Sequence, residues 1–235
     1  MTRDLVYGRR PVREALRGPR QVLEVWATER VQNGEPWLHG LRVKTKQERE
    51  LSEAASTRDH QGIVSWCEPY RYADAYELAA GRSPLIVCLD QVSDPRNLGA
   101  VCRSAEGSGA SGVVLPAYGS ATVTAAVCKA SAGAVEHLPV AVVTNLSRYL
   151  NEVKGPDLWV WAAAGDADQT LWEADLKSGT ALVLGAEGKG LRPLVRRACD
   201  GAVSIPLAGR TESLNVSVAA GILLYEARRQ RSAAD

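Results

Sequence analysis

An α/β fold built on a mainly parallel sheet is what this chain predicts, and three observations predict it. Short apolar runs alternate with helical stretches along most of its length. Several of those runs, LIVCLD (85–90), GVVLP (112–116) and TALVLG (180–185), are apolar at consecutive rather than alternate positions. Glycine-rich or polar loops follow them. A strand that is apolar on both faces is one that is covered on both faces, as a parallel strand between helix layers is. Strand–helix alternation supplies the layers, and a sheet of that kind takes its ligands in the loops beyond the strand ends.

The elements follow in order. LVYG, VLEVWAT and GIVSWC read as strands, with PVREALRG and the polar stretch from Lys46 to Arg58 as helices between them. YADAYELAAGRS (72–83) reads as a short helix ending at Gly81, and Pro84 opens the next strand. The expected domains are therefore 1–72, a linker over 73–84, and a larger unit over 85–235. The larger unit begins with LIVCLD and continues through GVVLP, the helical TVTAAVCKASAG, LPVAVV, LSRYLNEV, LWVWAAA, TALVLG, LRPLVRRAC and AVSIPL to a last helix. After LIVCLD the chain turns at Asp94-Pro95 into a helix whose Leu98, Val101, Cys102 and Ala105 form its buried stripe. Gly99, Arg103 and Glu106 share another face, where Gly99 is expected to leave a gap through which a partner reaches the guanidinium. Val216 to Leu224 is apolar almost all round, so that helix should be buried in the core or against a second subunit. Ser213 or Asn215 should cap it.

Composition narrows the function classes. At 235 residues the chain can bury a full core, which it must fill without a single Phe. No apolar run reaches the length of a membrane span and the N-terminus has no apolar signal region, so a cytoplasmic protein is expected. Cys67, Cys88, Cys102, Cys128 and Cys199 contain no CxxC pair, and His39, His60 and His137 are isolated. Cys67, Cys88, Cys102 and Cys128, in apolar or small-residue settings, are expected to be buried thiols, and no metal is expected. A net charge of +1 does not announce a nucleic-acid binder, but Arg9, Arg10, Arg13, Arg17 and Arg20 cluster early, and Arg192, Arg196, Arg197, Arg228, Arg229 and Arg231 late. The guanidinium fork suits phosphate, although a solvated helix face explains such clusters equally well. GSGASG (107–112) has dinucleotide-loop spacing but follows a helix and precedes a strand, the reverse of what that site needs, so it reads as a helix C-cap. GAEGKG lacks the glycine five residues before Gly188 and the hydroxyl after the lysine that a phosphate loop requires. An oxidoreductase and an NTPase are both excluded on these grounds.

Three ordered blocks carry a resemblance: LDQVSDPRNLGAVCRSAEGSGASGVVLP (89–116), LVLGAEGKGL (182–191), and VSIPLAG (203–209) with SLNVSVAAGILLYEA (213–227). Together they resemble the motifs of the SpoU family of RNA 2′-O-methyltransferases, within the SPOUT enzymes. VYGRRPVREAL and DHQGIVSW (59–66) resemble the L30e-like RNA-binding domain of the family's ribosomal-RNA members, here shortened between Arg30 and Lys46. The resemblance implies a SPOUT-type parallel sheet with a C-terminal trefoil knot, S-adenosylmethionine as cofactor, and a homodimer whose active site draws on both chains. The apolar last helix and the small-residue segment 122–135 are the expected dimer surfaces. The resemblance also implies catalytic roles for Asn97, Arg103, Glu187, Ser213 and Asn215, and cofactor contacts from Ala164, Gly185, Ile205, Leu207 and Leu214. Glu187 has a second reading as the cap of the helix that begins near Leu191. A guanidinium stays protonated, so Arg103 is expected to orient the ribose and stabilise the developing alkoxide rather than to take its proton. Structured RNA is the implied substrate, rRNA before tRNA, with the greatest likeness to members that methylate a guanosine ribose of 23S rRNA. A tRNA ribose methyltransferase, a resistance enzyme acting on rRNA, and a non-catalytic assembly factor of the same fold are the alternatives.

Overall fold

A computed structural model describes residues 2–232, so the expected outer limits at 1 and 235 lie outside the described residues. Two sheets organise the chain. The first contains β1 (Asp4–Tyr7), β2 (Val22–Ala27), β3 (Val43–Thr45) and β4 (Ile63–Cys67) in the order β1-β4-β2-β3. Strand β4 is central and wholly buried. Its side chains alternate, as a strand requires: Ile63 and Cys67 face the main core, while Val64 and Trp66 pack with Leu51 of the helix Glu48–Ala55 on the other side. Helices α1 (Arg9–Arg17), α2 (Glu29–Gly34) and α3 (Glu48–Ala55) cover this sheet. The stretch between Arg30 and Lys46, expected to be a trimmed part, holds most of α2, a 3-10 turn over Pro36–Leu38, and β3.

The segment expected to be a linker is partly folded. Helix α4 (Ala75–Ala79) is capped by Asp74, and Ala73 pairs with Ala141 of the larger sheet. Tyr149 donates from its hydroxyl to the Ala75 carbonyl at 2.9 Å.

The larger sheet holds β5 (Leu85–Asp90), β6 (Gly112–Pro116), β7 (Val140–Val143), β8 (Leu158–Ala163), β9 (Gly179–Gly185) and β10 (Gly201–Val203). All neighbours are parallel and the order is β10-β8-β9-β5-β6-β7. From β5 the chain winds outward through β6 and β7, then crosses to build the other half. The order therefore reverses beside β5 and β9, and a parallel sheet opens a crevice at such a point, beyond the strands' carboxyl ends. Helices α5 (Pro95–Ser108), α6 (Ala125–Ala130) and α9 (Val216–Ser232) lie on one face; α4, α7 (Leu146–Val153) and α8 (Pro193–Ala198) lie on the other. No helix among the described residues is long and apolar enough to cross a membrane.

The two sheets share a core. Val6, Val12 and Ala15 belong to the same buried cluster as Val101, Val127 and Val135. The contact is close because it is built on small residues: a Cβ on Gly133, whose φ is +89°, would stand 2.6 Å from Glu14 Cβ. Arg20 and Glu136 close it with an ion pair whose side chains are 7% and 1% exposed. The small-residue segment 122–135, expected at a dimer surface, meets the N-terminal unit of its own chain at Lys129 and Gly133. Arg20 is unavailable to phosphate.

Sequence and structure differ at two further points, Gly99 and the late arginines. Gly99 opens no gap: a Cβ there would meet Ala130 Cβ at 2.5 Å, because α6 packs directly on the glycine. Helix α9 buries Ala220, Leu223 and Leu224 in the core and leaves Val218, Ile222 and Tyr225 49%, 37% and 55% exposed. The late arginines are mostly engaged in the fold: Arg192 with Asp90, Arg196 with Asp166, Arg229 with Glu226, and Arg231 on backbone carbonyls. Gly109 ends α5 in the left-handed conformation at φ +76°, the C-cap expected of GSGASG.

Candidate active site

Four loops meet beyond the carboxyl ends of β5, β8, β9 and β10. The loop after β5 enters α5 through Asp94, whose carboxylate accepts from Arg96 N at 2.8 Å, and Pro95, whose fixed φ suits the first helical turn. This places Asn97 in the first turn of α5, facing the loop after β9. Glu187 lies in that loop. Its Oε1 accepts from Asn97 Nδ2 at 3.2 Å, from Val216 N at 3.4 Å, and from Asn215 Nδ2 in a short contact. Asn215 Nδ2 also donates to Asn97 Oδ1 at 3.1 Å. Three residues far apart in sequence are thereby tied into one cluster.

A neighbouring bond identifies the cap of α9. Asn215 Oδ1 accepts from Ser217 N at 2.9 Å, so Asn215 rather than Ser213 caps α9. Glu187 sits at the N-terminus of α9, not of α8 as its capping reading had it. A carboxylate is well placed there, next to the positive end of the helix dipole.

Beneath the cluster is a cavity of about 390 Å³, within the size range of small-ligand sites. Ala164, Gly185, Ile205, Leu207 and Leu214, the five residues expected to contact the cofactor, all line it, as do Glu187 and Ser213. Its apolar wall is Leu184, Val203 and Ile205; its acids are Glu187 and Glu212. Gly165, Gly188 and Gly190 border it with nothing within 4 Å of where a Cβ would stand, so the chain itself can approach a ligand. A second cavity, of about 430 Å³, shares Ala186, Glu187 and Val216 with the first.

Arg103 does not join this cluster. It is exposed on α5, lines neither cavity, and makes no hydrogen bond or ion pair among the described residues. Sequence reasoning also missed the device that holds the glycine loop. Asp90 ends β5 fully buried, opposite Gly185 in the ladder. Its carboxylate accepts from Arg192 N and Arg192 Nε, both at 2.8 Å. The signal was there: an acid closing the otherwise apolar run LIVCLD has to find a partner.

Residues 84–225 match the SpoU rRNA methylase family model, and residues 5–73 match the model for RNA 2′-O ribose methyltransferase substrate binding. The chain is 43% identical over 242 residues to the 23S rRNA (guanosine-2′-O-)-methyltransferase RlmB of Pseudomonas aeruginosa, with 97% of each chain covered. It is 40% identical over 247 residues to an uncharacterized tRNA/rRNA methyltransferase of Synechocystis sp., where the match takes in 97% of this chain and 63% of that relative. Among solved structures, the SpoU methyltransferase AviRb from Streptomyces viridochromogenes in complex with the cofactor AdoMet is similar at a TM-score of 0.82. That match has 27% identity and covers 97% of this chain and 90% of the other.

Proposed function

This chain belongs to the SpoU rRNA methylase family, and from that premise we propose that it transfers a methyl group from S-adenosylmethionine to a ribose 2′-hydroxyl of structured RNA, at a guanosine of 23S rRNA. The observation that carries the proposal is the meeting of Asn97, Glu187 and Asn215 at the wall of a cavity lined by all five expected cofactor residues. The cavity suits the cofactor: an apolar wall for the adenine, glycine backbone for close approach, and two carboxylates for its positive charges. When bound, the cofactor supplies an activated methyl group on sulfur, so the chain's own task is placement. The backbone about Gly185, Ile205 and Leu214 holds it, with Ala164 and Leu207 beside them. Asn97, Glu187 and Asn215 fix the rim where the acceptor ribose has to arrive, with Ser213 on the same turn. Reacting atoms have to be held about 3–3.5 Å apart, and placement of that kind supplies much of the catalysis.

Arg103 acts in a homodimer on this reading. Val218, Ile222 and Tyr225 form an exposed apolar stripe at helical spacing on α9, the surface through which two copies pair. Arg103 then serves the active site of its partner, where it orients the ribose and stabilises the developing alkoxide. Mixing inactive Arg103→Ala and inactive Asn97→Ala proteins should restore part of the activity, because one mixed site has both residues intact. Light scattering that reports a monomer at micromolar concentration would remove the dimer.

RNA affinity comes from a groove of about 880 Å³ on the N-terminal unit. Arg10, Arg13, Arg30 and Arg58 line it without an ion-pair partner among the described residues, and Lys129 enters from the larger unit. The trefoil knot and a cytoplasmic location complete the proposal. Incubation with methyl-labelled S-adenosylmethionine and unmodified 23S rRNA transcript tests it, by mapping the bond that resists alkaline cleavage. One protected guanosine is expected. Label on tRNA alone would move the assignment to tRNA, and cofactor binding without labelling of either RNA would favour an assembly factor.

A further inference from the structure

We infer that the second cavity receives the target nucleotide, with Gln91 contacting the edge of its base and Tyr118 stacking on its face. The inference rests on the methyl-transfer reading above. The acceptor oxygen has to come within bonding reach of the cofactor's methyl group, so the nucleotide has to occupy space that borders the cofactor cavity. The second cavity does so: Ala186, Glu187 and Val216 line both, and Asn97 lines the second.

Gln91 is the unusual residue of that cavity. It follows Asp90 at the end of β5 with φ +61°, a left-handed conformation that disfavours any side chain with a Cβ and suits glycine or asparagine. Such strain tends to persist where the side chain has a task. The Gln91 amide makes no hydrogen bond among the described residues, and its Nε2 lies 3.3 Å from where a Cβ on Gly119 would stand. An amide offers a donor and an acceptor side by side, the pattern that pairs with a base edge.

Gly119 lines the same cavity, in a loop tied to the β5 loop by Ala121 N donating to Val92 O at 2.9 Å. Tyr118 immediately precedes it and is 81% exposed, the most exposed of the large apolar side chains described. An exposed ring beside an active site suits an unstacked base, which RNA-binding proteins hold against aromatic faces. Lys189 borders the cavity as well and supplies a cation for the neighbouring phosphate.

Gln91→Gly, Tyr118→Ala and Tyr118→Phe test the inference on 23S rRNA transcript with labelled S-adenosylmethionine, alongside melting curves and cofactor calorimetry. Gln91→Gly relieves the backbone, so its Tm should hold or rise and its cofactor affinity should stay unchanged, while kcat/KM for RNA falls at least tenfold. Tyr118→Ala should lose roughly 5- to 150-fold in kcat/KM, the range for removing one stacking ring, and Tyr118→Phe should keep most of it. Unchanged kcat/KM in Gln91→Gly and Tyr118→Ala would overturn the nucleotide site and leave the methyl-transfer reading standing. A Gln91→Gly protein that loses both Tm and activity would make the residue structural and equally overturn it. Wild-type protein that labels no RNA would instead sink the methyl-transfer reading itself, and this inference with it.

Discussion

Asn97 and Arg103 stand six positions apart on α5, which at 100° per residue leaves them about 120° apart around the helix. One can therefore face the Glu187 loop while the other faces solvent. Arg103→Ala should abolish methyl transfer and change stability by no more than about 0.5 kcal/mol, because the side chain packs against nothing it would leave exposed. Urea denaturation and label transfer on the same protein check both halves, and near-wild-type turnover would refute the role. Asp90 is the opposite case. Asp90→Asn removes the buried charge that Arg192 answers, at a cost of about 1–3 kcal/mol, less than for a fully buried pair because the Arg192 side chain is 43% exposed. The loss should show in cofactor affinity as well, since Arg192 anchors the glycine loop that lines the cavity proposed to hold the cofactor. Calorimetry that finds normal affinity in a destabilised Asp90→Asn protein would confine Asp90 to the fold.

The pairing of α5 with α6 shows how far packing overrides propensity within an element. Alanine at Gly99 would gain up to about 1 kcal/mol of helix propensity on an isolated helix. Here its Cβ would stand 2.5 Å from Ala130 Cβ and 2.9 Å from the Val127 carbonyl oxygen. Overpacking of that kind costs about 1–3 kcal/mol. Gly99→Ala should therefore destabilise the protein by about 1–2 kcal/mol in urea, and a stabilised variant would show that α6 can yield. The same contact displaces the gap expected from the sequence: the glycine one turn before Arg103 serves the neighbouring helix.

At the scale of the molecule, the shared core makes the two sheets one cooperative unit. A single calorimetric transition is expected, and two resolved ones would show that the units fold apart. A fragment starting near Ser83 would expose the surface that Val6, Val12 and Ala15 cover, so the N-terminal unit's part in RNA binding is better read from Arg10, Arg13, Arg30 and Arg58 neutralised together. Their loss should flatten the salt dependence of RNA affinity by about 0.7–0.9 in log–log slope per phosphate contact. Burial also fixes the response to alkali. It pushes the thiols of Cys102, Cys128 and Cys199 up to about 12 and raises Cys67 and Cys88 too. An unfolded thiol loses its proton near pH 8.5, while these folded ones keep theirs, so their contribution to stability is complete below that pH and is lost as the pH rises toward 12. Tm should hold between pH 7 and 8 and fall steeply above pH 9. A flat profile to pH 11 would contradict the burial of these thiols.

Local pattern was enough for most of the elements and for the family. Runs apolar on both faces announced β5, β6 and β9, the Asp94-Pro95 turn announced α5, and motifs kept in order carried the resemblance. These features are fixed within a few residues of chain, where propensity, capping and periodicity act. The short α2 and β3 left no such mark, since neither is long enough to show a period. What only tertiary structure decided lies between segments distant in sequence: Asn97, Glu187 and Asn215 drawn to one carboxylate oxygen, Arg192 closing on Asp90, Gly133 admitting Glu14, and Arg20 spent on Glu136 rather than phosphate. A residue's identity states which bonds it can make. Which of them it does make depends on what the fold brings within about 3 Å, because hydrogen bonds and close packing are lost beyond contact distance.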